Sequence, residues 1–134
     1  LEAARLLGCS TADVQSERLR SAAALAAELK SVIVLKGSGT VIAAPARASR
    51  INSTGSAALA SGGTGDVLAG WIGGTWSQAG EATTGSEALD TAFRCATAAV
   101  WLHGAAGEAR GSNAVRARDL VDAMREIQAG FSAP

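Results

Sequence analysis

Five consecutive residues in the middle of the chain, Gly62-Gly63-Thr64-Gly65-Asp66, combine types that could manage an anion. Glycines let another group come close to the backbone. A helix starting near Gly63 to Gly65 would aim unpaired N–H groups and a partial positive charge at the loop in front of it. The expected result is an anion hole made of Gly62, Gly63, Thr64 and Gly65. Asp66 falls in the first helical turn, where a carboxylate is favoured and stays ionised, so it could act as a base beside the bound anion. The plainer reading makes Asp66 a first-turn charge and nothing more. No Gly-Lys-Ser/Thr follows the glycines, and no Gly-x-Gly-x-x-Gly opens a strand–helix unit. A carboxylate directly after the glycines would repel phosphate unless a transferring group or a metal sits between them.

A second stretch points to the same chemistry. Lys36-Gly37-Ser38-Gly39-Thr40 follows Val32-Ile33-Val34-Leu35, a continuous β-branched run that reads as a buried strand. A lysine at a strand end is usually a snorkelling edge residue. The end of a strand beside a Gly-x-Gly turn is also where α/β proteins place ligands. A phosphate needs donors from more than one side, so the two glycine-rich breaks are expected to lie side by side at one end of the sheet.

The surrounding elements must hold these breaks in place. Leu1 to Gly8 reads as a helix closed by Gly8. Ser10 or Thr11 caps one amphipathic helix ending near Lys30, with Val14, Leu19, Ala22, Leu25, Ala26 and Leu29 inward and Asp13, Glu17, Arg18, Arg20 and Glu28 mostly outward. After the first strand come a second at Thr40 to Ala44 and a third around Arg50 to Asn52. The helix near Asp66 carries Val67, Leu68, Trp71, Ile72 and Trp76 among Gly70, Gly73 and Gly74. Those glycines cost helix stability and imply close backbone packing or room for a ligand. The two tryptophans read as core or cleft wall. Gly80 to Ser86 is a loop whose Ser86 caps a helix from Glu87 to about Ala106. Leu89, Phe93, Ala96, Val100 and His103 form one face of it, with His103 read as a hydrogen-bonded packing residue. A last helix, about Asp119 to Gln128, turns Leu120, Val121, Met124 and Ile127 inward. Arg118 is a poor cap for it, which leaves Asn113 or Asp119 to serve, and Gly130 to Pro134 reads as tail.

Composition narrows the function. The 134 residues suit one domain with a real core. Twelve basic and twelve acidic residues cancel, with no charged block, which argues against a nucleic-acid or anionic-membrane surface. Cys9 and Cys95 offer neither metal spacing nor a disulfide framework, so a reducing, cytoplasmic setting is expected. One histidine cannot build a zinc site, and no Ser/His/Asp set assembles. No apolar run reaches membrane-spanning length. The chain starts without Met inside a helical pattern, the mark expected of a fragment.

With these residues in view, the chain resembles the C-terminal half of the ADP/ATP-dependent NAD(P)H-hydrate dehydratases, a branch of the ribokinase-like superfamily. Leu35-Lys36-Gly37-Ser38-Gly39-Thr40 is similar to the family's Leu-Lys-Gly-x-x-Thr nucleotide segment. Asn52-x-Thr54-Gly55 with Gly62-Gly63-Thr64-Gly65-Asp66-Val67-Leu68-Ala69-Gly70 is similar to its signature. Leu102-His103-Gly104-x-Ala106-Gly107 and Asp119-Leu120 resemble its later helices. Two departures stand out: Ser56-Ala57-Ala58 replaces the usual Asn-Pro-Gly, which predicts a less rigid loop, and Arg118 replaces a Ser.

The resemblance implies a three-layer α/β/α ribokinase-like fold, with residues 1–134 as the C-terminal part of a single nucleotide-binding domain whose N-terminal half is absent. It implies ADP-dependent dehydration of (S)-NAD(P)H-hydrate to NAD(P)H, with ADP or ATP and magnesium as cofactors and release of AMP and phosphate. Lys36, Gly37, Ser38, Gly39 and Thr40 would hold the AMP part and Gly65 its phosphate. Asp66 would be the catalytic base facing the substrate, with Asn52 and Thr54 as support. Expected partners are the missing half, as the same polypeptide or a companion chain, and further copies in a homo-oligomer. Two rival readings remain: a ribokinase-like kinase for a hydroxymethylpyrimidine, thiazole or sugar alcohol, and a nucleotide-binding fragment without turnover. The vitamin kinases usually carry Cys at Asp66, and sugar kinases seldom have Gly-Gly-Thr before it.

Overall fold

Strand alternation decides the layering. In the computed structural model, which describes residues 1–80, 85–111 and 114–131, three short strands form one antiparallel sheet in the order β1-β2-β3. They are β1 (Ile33–Leu35), β2 (Val41–Ala43) and β3 (Arg50–Ile51). The register sets Ile33 opposite Ala43 and Leu35 opposite Val41, with Val34 opposite Ile42 between them. Side chains alternate across a strand, so the first two pairs share one face. There Ile33, Leu35, Val41 and Ala43 pack on Ala22 and Ala26 of helix α3 (Arg18–Leu29). On the opposite face Val32, Val34, Ile42 and Ala44 meet Leu68 of α4 (Thr64–Gln78) and Phe93, Ala96 and Val100 of α5 (Ser86–Ala109). Helix, sheet and helix make three layers. α6 (Ala117–Phe131) packs outside α5 through Leu120, Ala123 and Met124 against Leu102 and Ala106. Each large side chain buried in these clusters contributes roughly 1.5–3 kcal/mol.

The centre of the sheet is not the strand that the sequence favours. β2 is wholly buried, whereas β1, expected to be buried on both faces, is only half-buried. β1 lies at the sheet margin, and its outer edge has no strand beside it among the described residues. Next to that edge Val32, Val34, Ile72, Trp76 and Leu89 line an apolar groove of about 500 Å3.

The first helices also differ from expectation. α1 (Glu2–Leu7) ends at Gly8 in the left-handed region, as read. Ser10 caps α2 (Thr11–Ser16), and its side chain and that of Asp13 bond each other's backbone N–H. The single helix expected to run on to Lys30 instead breaks at Glu17 (φ −129°, ψ 47°) and restarts as α3. The break resets the helical phase. Leu19 and Leu29, expected inward, are 49% and 44% exposed, and Arg18, expected outward, turns in toward the end of β1.

Later boundaries shift for local reasons. Gly85, not Ser86, precedes α5; Ser86 lies inside the helix and makes no side-chain cap. α5 continues to Ala109, and α6 starts early enough to place Arg118 in its first turn. α6 also takes in Gly130 and Phe131, which were expected as tail. Residues 81–84 of the expected loop, the proposed cap Asn113 and the final residues 132–134 lie outside the described residues. Trp71 is partly buried against the core, but Trp76 is 44% exposed. Close packing does not explain the α4 glycines, since a methyl group added at Gly70, Gly73 or Gly74 would meet nothing within 4 Å among the described residues.

Candidate functional site

The chain leaves β1 at Leu35 and turns through Lys36–Thr40 before entering β2. Gly37 (φ +146°) and Gly39 (φ +63°) make the turn, and the Thr40 hydroxyl donates to Gly37 O at 3.1 Å. β2 and β3 then carry the chain back, with Asn52 N–H donating to Thr40 O at 2.8 Å. That bond extends the ladder to the loop and fixes the loop's far end beside Asn52.

Residues 52–61 form the second wall, and they are tied to α5. Asn52 Nδ2 donates to Thr54 O at 2.8 Å, and the Thr54 hydroxyl donates to Trp101 O at 2.9 Å. Gly55 N–H donates to Glu108 Oε1 at 2.8 Å, and the Ser56 hydroxyl donates to Gly107 O at 3.2 Å. A short 3-10 turn, Ala57–Leu59, buries Ala58, whose carbonyl accepts from Val115 N–H at 3.1 Å. Ser61 is hydrogen-bonded to Val115 O. Ser56-Ala57-Ala58, read as a loosening departure, is thus held at Ser56 and Ala58.

α4 begins where the sequence places it. Gly63 is the N-cap with φ +85°, a conformation that only glycine adopts at little cost. The first intrahelical bond runs from Val67 N–H to Gly63 O at 3.1 Å, so the N–H groups of Thr64, Gly65 and Asp66 have no acceptor within the helix. The Thr64 hydroxyl is turned back and donates to Leu59 O and Ser61 O at 2.8 and 2.9 Å. Thr64 therefore braces the loop with its side chain and leaves only its N–H for a ligand.

The two glycine-rich breaks meet. A methyl group added at Gly65 would fall 2.8 Å from Lys36 Nζ, which puts the ammonium over the start of α4. Together they enclose a cleft of about 630 Å3 lined by all of Lys36–Thr40, by Asn52 and Thr54, by Thr64 and Gly65, and by His103 and Gly104. Gly62, Gly63 and Asp66 are outside that lining. Asp66 stands exposed on the outer side of the first turn of α4. The cleft can thus offer an ammonium and helix-terminal N–H groups to an anion, with a carboxylate waiting just beyond.

His103 closes the back of the cleft as the hydrogen-bonded packing residue that was expected. It is 9% exposed, and Nε2 lies 2.9 Å from Thr64 O. A carbonyl only accepts, so Nε2 carries the proton. Burial pushes its pKa below the ordinary 6.5; the bond to Thr64 opposes that shift and the Lys36 ammonium adds to it. A neutral ring thus ties α5 to the first residue of α4.

Two contributors escaped the sequence reading. Arg18 reaches the Lys36–Thr40 loop from α3, donating to Leu35 O at 3.0 Å and Gly39 O at 3.3 Å. Its signal was hidden by the unbroken amphipathic pattern across Glu17. The other is α5 itself, which the 52–61 loop touches at Gly104 and Gly107. A methyl group at Gly104 would sit 2.7 Å from the Thr54 carbonyl carbon, and one at Gly107 would sit 2.6 Å from Leu59 Cγ. The spacing of small residues at 104–107 was the available sign.

The sequence matches the NAD(P)H-hydrate dehydratase family over residues 1–129. It is 42% identical over 130 residues to the bifunctional NAD(P)H-hydrate repair enzyme Nnr of Escherichia coli (strain K12), covering 94% of this chain and 23% of that protein. It is 39% identical over 107 residues to the ADP-dependent (S)-NAD(P)H-hydrate dehydratase of Neisseria meningitidis serogroup B, covering 80% of this chain and 33% of that protein. The fold is similar to that of the ADP/ATP-dependent NAD(P)H-hydrate dehydratase from Bacillus subtilis co-crystallised with ATP and Mg2+. The TM-score is 0.77 at 35% identity, over 96% of this chain and 44% of that one. The chain spans less than half the length of that solved relative and a third or less of these curated ones.

Proposed function

The chain belongs to the NAD(P)H-hydrate dehydratase family, and we propose on that footing that its cleft serves the nucleotide side of a repair reaction on hydrated NADH or NADPH. One observation carries the reading: the Lys36 ammonium and the open N–H groups of α4 converge on the same place although they come from separate parts of the chain. Lys36, Gly37, Ser38, Gly39 and Thr40 hold the AMP part of ADP, and Gly65 N–H meets its phosphate. The start of α4, Gly62 to Gly65, receives the phosphoryl group in transit. Asp66 takes the proton of the ring hydroxyl of (S)-NAD(P)H-hydrate as that oxygen attacks the terminal phosphorus and AMP departs. Loss of phosphate together with a ring proton then restores the double bond of NAD(P)H. Asn52 and Thr54 support the wall through their bonds to each other and to α5.

Magnesium neutralises phosphate charge in such transfers. Asp66 is the carboxylate at this helix start, and among the described residues no trio of His, Cys, Asp or Glu gathers to hold a metal. That donor set suits an ion that arrives on the nucleotide's own phosphates and keeps most of its water. The edge of β1, which has no strand beside it among the described residues, and the apolar groove next to it fit a larger sheet, completed by more of the same polypeptide or by a companion chain, in a homo-oligomer. The setting is cytoplasmic, in keeping with free cysteines at Cys9 and Cys95.

The test is Asp66→Asn in the protein that contains this chain, assayed with ADP and hydrated NADH by return of the reduced-nicotinamide absorbance. Asn keeps the volume and cannot accept the proton. Turnover is expected to drop about 10²–10⁴-fold with ADP affinity near normal. A variant retaining more than half the parent rate would reduce Asp66 to a helix-end charge. Parent protein that phosphorylates a vitamin or sugar alcohol and ignores the hydrate would replace the repair reading.

A further inference from the structure

Arg18 is half-buried at the start of α3, directly after the break at Glu17. Its Nη2 donates to Leu35 O at 3.0 Å and to Gly39 O at 3.3 Å, while Nη1 is 3.5 Å from Lys36 O and 3.3 Å from Gln15 Oε1. The three carbonyls belong to the last residue of β1 and to the loop that follows. Gly37 rests directly on the guanidinium, where an added Cβ would lie 2.9 Å from Nη1 and 3.1 Å from Nη2. Arginine and glycine are therefore matched: the loop can wrap the cation because no side chain intervenes. The planar fork matters too: Nη1 and Nη2 take different carbonyls, whereas a lysine gathers its donors on a single nitrogen.

A trans peptide plane turns each carbonyl and the next N–H in opposite directions. With Leu35, Lys36 and Gly39 carbonyls drawn to Arg18, the N–H groups of Lys36, Gly37 and Thr40 point away from it. Among the described residues none of these three N–H groups donates to a backbone carbonyl. Lys36, Gly37 and Thr40 line the cleft, and Arg18 does not.

We propose that Arg18 is a positioning residue of the cleft, holding the carbonyls of Leu35, Lys36 and Gly39 so that the N–H groups of Lys36, Gly37 and Thr40 form a row of donors for an oxygen-rich anionic ligand. Taking that ligand as a nucleoside diphosphate rests on the function proposed above; the orientation of the loop does not. Without the clamp the peptide planes are free to flip, and the donors are lost along with the order of the loop.

Three forms of the protein decide it: the parent, Arg18→Met and Arg18→Lys. NMR order parameters of the Gly37 and Thr40 amides, which report how firmly each N–H vector is held, are measured without ligand. ADP affinity is then measured by calorimetry, and KM is measured separately for ADP and for the hydrated dinucleotide. Arg18→Met is expected to weaken ADP about 10–100-fold, as for loss of charge-assisted hydrogen bonds. KM for the hydrate should stay unchanged, and the two order parameters should fall. Arg18→Lys keeps the charge and most of the volume, guards against misfolding, and should recover only part of the affinity. Equal losses for both substrates, or full recovery by lysine, would overturn the proposal. If the parent binds no ADP, the nucleotide reading fails and the ligand-free order parameters alone decide the clamp. Parent-like order parameters in both variants would then overturn it.

Discussion

Helices α4 and α5 both carry glycines in their interiors, and in sequence the two sets look alike. In space they are opposites. Gly104 and Gly107 press against the 52–61 loop so closely that a single methyl group would strike Thr54 or Leu59, whereas Gly70, Gly73 and Gly74 have no neighbour within 4 Å of an added methyl group among the described residues. A helical glycine costs about 0.8–1.0 kcal/mol relative to alanine. In α5 that cost is offset by contact: the loop lies on the helix backbone, and Thr54 bonds to Trp101 O. In α4 nothing among the described residues offsets it. The exposed side of α4 that holds Gly70 and Gly73 also holds Asp66. Small residues on α5 thus build the cleft wall, while those on α4 keep a surface clear next to the carboxylate.

Substitutions should separate the two helices by sign. Gly104→Ala is expected to do the most harm, because the obstructing atoms include the Thr54 carbonyl carbon at 2.7 Å and backbone yields little. Overpacking of this kind costs about 3 kcal/mol. A chemical melt should register it, together with weaker ADP binding as the 52–54 wall moves. Gly107→Ala meets only the Leu59 side chain, which can change rotamer, so roughly 1–2 kcal/mol is expected in the same melt. Gly73→Ala should reverse the sign and stabilise the protein by about 0.8–1.0 kcal/mol. If it destabilises instead, the glycines of α4 are packed after all and the two helices do not differ in this way. If it stabilises but slows hydrate turnover, the clear surface beside Asp66 belongs to the substrate.

The smallest effect concerns His103, the α5 residue that reaches across to α4. Its folded pKa lies below 6.5, chiefly through burial. As pH falls past about 6.5 the unfolded chain takes up a proton that the folded chain resists, so stability declines as the pH drops toward the folded value. His103→Gln keeps a donor for Thr64 O and does not titrate. It should flatten stability against pH across that window, and an unchanged slope would assign the pH dependence to other groups.

Much of this arrangement could be read from the chain, and the misses share a cause. The strand positions, the start of α4 and the meeting of Lys36 with the glycine loop follow from local signals: β-branched runs, glycine breaks and helix-end chemistry. The glycine contrast was invisible because each residue's reason lies in a neighbour distant in sequence. The break at Glu17 carries neither Gly nor Pro, so a continuous amphipathic pattern hid it and Arg18 was assigned outward. β1 is more apolar than β2 by composition, yet β2 is buried because it has a strand on each side. Burial there follows from position in the sheet, which no short window records.

Lys36 has one further consequence. The chain holds only two lysines, and the other, Lys30, sits at the left-handed C-cap of α3 on the opposite end of β1. Among the lysine side chains of these 134 residues, amine-selective chemistry therefore finds one ammonium in the cleft and one outside it, on the same short stretch of polypeptide. Lys30 serves as an internal standard for reagent exposure, so the ratio of label at the two sites reports occupancy of the cleft without a cofactor, a substrate or turnover. A periodate-oxidised nucleotide that seeks amines would mark Lys36 and spare Lys30, turning the scarcity of lysine into an address.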